Sequence, residues 1–321
     1  MSADLSPIAI VGNLNVDQVV ATVERFPAWD EELLVDSSRL ELAGTAGYLA
    51  LTARGLGIPP LVVSTVGEDT NAAFLRQGLA AAGIATDGVE TIPDKLTCLG
   101  IIFVGNQGQR GILTVLGAHA AMSVDVAERH DEQVRACPEV FLCGNYLLPQ
   151  FTPGMAAPYA RKLRERGQVV VFDPSWDPTG WPARTQEETF ALLEHVDLFL
   201  PNERELCRLT GTATWEEGVA ALAGRVRHVV VKRGAGGAVA VEGDAVVACP
   251  GLPLAAKNTI GAGDVFDIAY LYARRKGWET KVRLRFACAA AGAVIVQVGS
   301  RSYPNAAAVW AFDAATLNGS G

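Results

Sequence analysis

The run Asn258-Thr259-Ile260 leads into three small residues and an aspartate, Gly261-Ala262-Gly263-Asp264, which open a stretch with helical spacing. Small residues entering a helix leave several backbone N–H groups unpaired and pointing outward, where the helix dipole strengthens their pull on an anion. A carboxylate in that first turn can accept a proton from a hydroxyl while the N–H groups stabilise charge on a transferring phosphoryl group. The chemistry expected is therefore phosphoryl transfer to an alcohol. Asp264 would be the base, and Gly261, Ala262 and Gly263 the anion hole. A plain glycine turn followed by a favourable first-turn aspartate would read the same way, so the motif needs company.

Three further groups provide it. Asn202-Glu203-Arg204-Glu205 follows an apolar strand pattern at 196–200, and one helical turn presents Asn202 and Glu205 to the same side. Their oxygens suit Mg²⁺, mostly through its waters, but the same pair also makes a capping box. Val229 to Lys232 is a strand running into the glycine-rich turn Arg233-Gly234-Ala235-Gly236-Gly237. Such a turn permits close backbone approach to a nucleotide, or serves as a flexible hairpin connection. The chain holds no Gly-x-x-x-x-Gly-Lys-Ser/Thr loop, and the glycine spacing does not match a dinucleotide fingerprint. Gly12-Asn13-Leu14-Asn15-Val16-Asp17 stands where the first strand leaves the sheet. Open parallel sheets bind ligands beyond such strand ends, and Asp17 could grip two adjacent hydroxyls of a polyol. The other reading is an Asn/Asp-rich turn that satisfies its own backbone.

The elements that must position these groups alternate regularly. Strands are expected at 7–12, 61–65, 139–143, 168–172, 196–200 and 228–232. Helices are expected at 45–56, 71–82, 154–166, 186–194, 215–224, 263–276 and 281–297, with a hairpin at 237–249. This rhythm predicts a mainly parallel sheet with helices on both faces. Two stretches, 18–42 and 96–116, break it with extended segments at Gln18–Val23, Leu33–Leu42, Cys98–Gly105 and Gly111–Leu116. They are read as a small separate sheet. Leu99 to Val104 is apolar on both alternating faces apart from Gly100, so a second subunit is expected to cover the outer face.

Composition narrows the class. The chain of 321 residues has a net charge of −8 and is 50% hydrophobic, which suits a well-packed soluble protein and makes nucleic acid a poor partner. No apolar run reaches the roughly 18 residues of a membrane span. The start, Met1-Ser2-Ala3-Asp4-Leu5, has no secretory pattern. The six cysteines form no Cys-x-x-Cys pair and read as buried reduced thiols, which predicts a cytoplasmic protein. The four histidines show no metal spacing.

The four groups, in this order and at these separations, resemble the PfkB (ribokinase-like) carbohydrate kinase family, over nearly the whole chain. Thr65-Val66-Gly67-Glu68-Asp69, Gly108-Gln109-Arg110 and Asp173-Pro174-Ser175 add to the likeness, and the two family signatures correspond to residues 43–57 and 257–270. The resemblance implies one ribokinase-like α/β kinase domain over 1–321, a three-layer sandwich with lid segments at about 15–43 and 96–117. It also implies ATP and Mg²⁺ as cofactors, while the apolar lid segment points to a homodimer joined through the lid sheet. Asp264 becomes the general base and Gly261 to Gly263 the γ-phosphate hole. Asn202 and Glu205 organise Mg²⁺. Lys232, Arg233, Gly234 and Gly237 lie beside the nucleotide with Asn202, and 288–292 flanks the adenine. Asn13, Asp17, Gly44, Thr45 and Tyr48 hold a small sugar or polyol.

Two departures stand out. Where the family usually reads Gly-Gly-x-x-x-Asn, this chain reads Ala43-Gly44-Thr45-Ala46-Gly47-Tyr48. Tyr48 either makes the pocket less polar or turns away into packing. Asn258 replaces the usual Asp, a carboxylate that in many relatives helps hold a monovalent cation, so K⁺ activation is expected to be weak. A nucleoside is the alternative acceptor, with Tyr48, Phe103, Trp29 and Tyr146 as candidate clamps for its base. Sugar phosphates are disfavoured because few basic groups (Arg25, Arg39, Arg54, Arg110) stand on the substrate side. A non-catalytic binding protein on this fold is the third reading.

Overall fold

A computed structural model of the chain describes residues 5–105, 110–297 and 302–318. Its strands, in chain order, are β1 (Ile8–Gly12), β2 (Asn15–Val23), β3 (Ser37–Ala43), β4 (Pro60–Val66), β5 (Val89–Thr91), β6 (Leu99–Gly105) and β7 (Arg110–Val115), then β8 (Glu139–Cys143), β9 (Val169–Asp173), β10 (Leu198–Phe199), β11 (His228–Lys232), β12 (Ala238–Glu242) and β13 (Ala245–Cys249). The main sheet runs β13-β12-β11-β10-β9-β8-β1-β4-β5. Every pairing from β11 to β5 is parallel, and the β11-β12-β13 end is antiparallel.

The apolar runs of β1 and β8 are buried along their whole length, as strands covered on both faces must be. Alternation sorts their side chains into two cores. Ile8, Ile10 and Phe141 pack beneath the Ala262–Arg275 and Thr280–Ile295 helices. Ala9, Val11 and Leu142 pack on the opposite side, with the Pro153–Glu165 and Ala183–Leu193 helices. The result is a three-layer α/β sandwich, as the alternating pattern predicts.

A second sheet, β3-β2-β6-β7, is built from the two irregular stretches. Asp17 pairs with Gly100, and Gly100 with Thr114, so these three share one face of it. The strand expected from Leu33 begins only at Ser37. The β2–β3 ladder ends at Ala21 and Ser37, leaving 33–36 without a partner, and a positive φ of 65° at Asp30 turns the chain before it. Gly108 and Gln109 lie outside the described residues. The Ala306–Asn318 helix has no counterpart in the expected elements, and β10 shrinks to two ladder residues.

Candidate active site

The parallel strands end along one edge. Gly12 is in register with Cys143, and Cys143 with Asp173, while Lys232 closes β11 further along the sheet. Over that edge begins the Ala262–Arg275 helix, with Gly261 as its N-cap. Gly261 has a positive φ of 67°, and a Cβ there would stand 2.9 Å from the Tyr48 ring. Only glycine meets both conditions without strain. Asn258 shapes the approach, its Oδ1 accepting the Ile260 N–H at 3.1 Å. The Ala262 N–H donates to the Thr259 carbonyl at 3.3 Å. The Gly263 N–H has no acceptor within the helix, because the first turn offers none.

Two cavities meet at this turn. One, of about 380 Å³, is lined by Ala262 and Gly263 together with Lys232, Gly234 and Gly237. Its far wall is apolar and small-featured, including Leu252, Cys288, Ala291 and Gly292. The other, of about 420 Å³, is lined by Asp264 together with Asn13, Asp17, Gly44, Thr45 and Tyr48. One helix start thus forms a wall of both cavities.

The second cavity has a polar end and an apolar rim. Asn15 Nδ2 donates to Asp17 Oδ1 at 2.7 Å, and the Tyr48 hydroxyl donates to Asp17 Oδ2 at 3.3 Å. Thr45 and Ser175 hydroxyls stand 3.2 Å apart. Ser175 holds a positive φ of 55°, with its N–H on Asp173 Oδ1 at 2.6 Å. Strained backbone of this kind concentrates at ligand sites. Ile102 and Ile112 of the small sheet, with Leu147 and Trp176, supply the rim. No Arg or Lys lines this cavity among the described residues.

Tyr48 resolves into both of its sequence readings at once. Its ring packs with Val19, Ala43, Ile102 and Ile260 and is 5% exposed, while its hydroxyl reaches the cavity at Asp17. Of the aromatic residues expected to clamp a base, only Tyr48 lines the cavity. Phe103 stacks edge-on with Phe26, Trp29 is 98% exposed, and the Tyr146 hydroxyl meets Thr189. Trp176, which sequence reasoning missed, lines it as well.

Asn202 and Glu205 form a full capping box, each side chain bonded to the other's backbone N–H at 2.9 and 2.8 Å, and neither lines either of these two cavities. Arg233 also points elsewhere, with Nε 3.4 Å from Glu203 and its guanidinium over the Trp215 ring. Lys232, expected beside the nucleotide, lines the first cavity and has two partners the sequence did not announce, its Nζ bonding to Asp173 at 2.7 Å and Asp267 at 2.9 Å. Burial works against its ammonium, but Asp173 and Asp267 outweigh that and keep it charged well beyond the ordinary lysine range. Among the described residues no group of three His, Cys, Asp or Glu could hold a metal, and no helix is long and apolar enough to cross a membrane.

A carboxylate at a helix start, with a cavity on either side of that turn, is the arrangement expected of a phosphotransferase acting on alcohols. The family model for pfkB carbohydrate kinases matches residues 6–307, and the chain belongs to that family of ATP-dependent kinases. It is 28% identical over 309 residues to a ribokinase of Arabidopsis thaliana, covering 93% of this chain and 78% of the relative. An ATP-dependent ribose-1-phosphate kinase of Halopiger xanaduensis is 28% identical over 302 residues, covering 94% and 96%. The solved structure of the Arabidopsis thaliana ribokinase, complexed with ribose and ATP, superposes with a TM-score of 0.78 at 27% identity, covering 96% of this chain and 99% of that one.

Proposed function

We propose that the chain transfers the γ-phosphate of ATP to a hydroxyl of a small sugar or polyol, with Asp264 as general base. The observation that carries this is the shared wall, with Gly263 in one cavity and Asp264 in the other. The slot beside Gly234, Gly237 and Gly292 has the apolar, close-packed character that suits adenine, and it ends at Lys232 and Gly263, where phosphates would lie. As the acceptor oxygen forms its bond to the γ-phosphorus, the bond to the ADP oxygen breaks and the hydroxyl proton passes to Asp264. The Gly263 amide, at the positive end of the helix, stabilises charge on the moving phosphoryl group.

Mg²⁺ would neutralise phosphate charge. The capping box leaves Asn202 and Glu205 able to reach it only through water. Asn13, Asp17, Gly44, Thr45 and Tyr48 bind the acceptor, Asp17 taking neighbouring hydroxyls. The small sheet acts as a lid that excludes water from the transfer. Its outer face carries exposed Leu40, Leu113 and Val115, which supports a homodimer through the lid. We read the whole chain as one kinase domain with lid segments at about 15–43 and 96–117. The six free cysteines suit the reducing cytoplasm.

A nucleoside acceptor is the second reading, favoured by Trp176 and Ile112 on the cavity rim, where a flat base could stack. ADP release from ATP·Mg²⁺ across free sugars, polyols and nucleosides separates the two. A sugar substrate supports the first reading, a nucleoside the second. Silence across the whole panel contradicts both.

A further inference from the structure

Lys232 is held by carboxylates from two different elements, Asp173 at the end of β9 and Asp267 one turn beyond Asp264 on the Ala262–Arg275 helix. The side chains of Lys232, Asp173 and Asp267 are 11, 6 and 0% exposed. One ammonium facing two ionised carboxylates would bury a net negative charge, which is costly without water. A proton on Asp267 removes that charge. It also gives a role to Asp267 Oδ1, which has no hydrogen-bond partner among the described residues, since that oxygen can share the proton with Asp173.

The electrostatics agree. Burial pushes the Asp267 carboxyl well above the ordinary range, with Asp173 reinforcing and Lys232 opposing. Burial also works to raise Asp173, but Lys232 and the bond from Asp267 outweigh it and hold Asp173 low. The cluster is therefore a clamped ion pair with a protonated neighbour. Glu205, facing it from the Glu203–Thr210 helix, is pushed up to about 7 by burial and by the charge on Asp173.

The end of this cluster nearest the helix start is positive. A Cβ placed on Gly263 would find Lys232 Nζ at 3.4 Å, then Lys232 Cε at 3.8 Å and Cδ at 3.9 Å, before any carboxylate atom. Lys232 and Gly263 both line the cavity read here as the nucleotide site. We propose that Asp173 and Asp267 clamp Lys232 as a fixed positive charge behind the Gly261–Gly263 turn, and that this charge makes the site prefer ATP over ADP. The proposal rests on the nucleotide assignment of that cavity, and not on the identity of the acceptor. A charge held in place before the ligand arrives needs no reorganisation when a terminal phosphate docks.

Calorimetric titration of ATP and of ADP, without acceptor, tests it. Lys232→Met keeps the stem and removes the charge, so ATP affinity should fall about tenfold or more while ADP affinity holds. Asp267→Asn, which like the protonated acid can still donate to Asp173, should keep the ATP preference, and Asp267→Ala should lose it. If Lys232→Met does not fold, the charge-balanced pair Lys232→Met with Asp173→Asn replaces it, with the same expected loss. Equal weakening of ATP and ADP, or no change in their ratio, overturns the proposal. So does a wild-type protein that binds neither nucleotide. A wild-type protein with the ATP preference but no turnover on any acceptor would sink the kinase reading and leave this one standing, provided Lys232→Met abolishes the preference.

Discussion

The Tyr48 ring lies directly against Gly261, the residue from which the Ala262–Arg275 helix starts. Three ring carbons would stand 2.9, 3.0 and 3.1 Å from a Cβ added there. Tyr48 also bonds through its hydroxyl to Asp17, 3.3 Å away. One side chain therefore touches both the turn proposed to hold phosphate and the aspartate proposed to bind the acceptor.

Gly261→Ala should damage this junction twice. Its positive φ costs a side chain about 1–2 kcal/mol, and the new methyl forces the ring or the turn to move. Turnover should fall much more than the thermal midpoint does, since the fold's core lies elsewhere. Steady-state kinetics alongside thermal unfolding checks this, and unchanged kcat contradicts it.

Trp176 separates the two acceptor readings. Arg204 already lies 4.3 Å over its ring, which helps fix its orientation. If a base stacks on this residue, Trp176→Ala should raise the KM for nucleosides by about 5- to 100-fold, the range of aromatic–base stacking, and leave free sugars little changed. Equal effects on both substrate types would remove Trp176 from base recognition.

Glu205 makes a pH prediction. Burial first, and then Asp173, raise its folded pKa to about 7, above its unfolded value, so the native state holds the extra proton. The stability this confers is complete below the unfolded pKa and is lost as pH rises through about 7. Glu205→Gln keeps an acceptor for the Asn202 N–H and cannot ionise. Relative to wild type it should gain about 2–3 kcal/mol at pH 8 compared with pH 4. Urea unfolding at the two pH values measures this, and a pH-independent difference would contradict it.

Asn258 brings no charge to the turn it organises, its Oδ1 being engaged by the Ile260 N–H. Replacing K⁺ with a large organic cation at constant ionic strength should leave kcat nearly unchanged. Strong activation by K⁺ would show that a cation site survives without the carboxylate.

Much of this architecture was legible in the chain. The runs at 8–12 and 139–143 announce strands buried on both faces, and Gly261-Ala262-Gly263-Asp264 marks a helix start that does lie at the junction of two cavities. Asn13, Asp17, Gly44, Thr45 and Tyr48 converge because the β1–β2 crossing and the next helix start are local features with local signals. The Lys232 cluster was not legible in this way. Its carboxylates lie 59 and 35 residues from the lysine and meet it only once sheet and helix have packed. Arg233, expected beside the nucleotide, reaches instead toward partners that are also distant in sequence. The strand ends at Lys232, and Arg233, at φ −117° and ψ 23°, opens the glycine turn with its side chain toward Glu203 and Trp215. Trp176 follows Asp173-Pro174-Ser175, and the positive φ at Ser175, beside it on the wall of the second cavity, has no signal in the sequence.

The most direct test of the account is Asp264→Asn, which preserves size while removing the base. With ATP and the best acceptor from the panel, kcat should fall by about 10²–10⁴-fold while calorimetric affinity for ATP stays as in the wild type. Turnover close to wild type in a folded, ATP-binding variant would contradict Asp264 as the general base, and with it the mechanism proposed for this site.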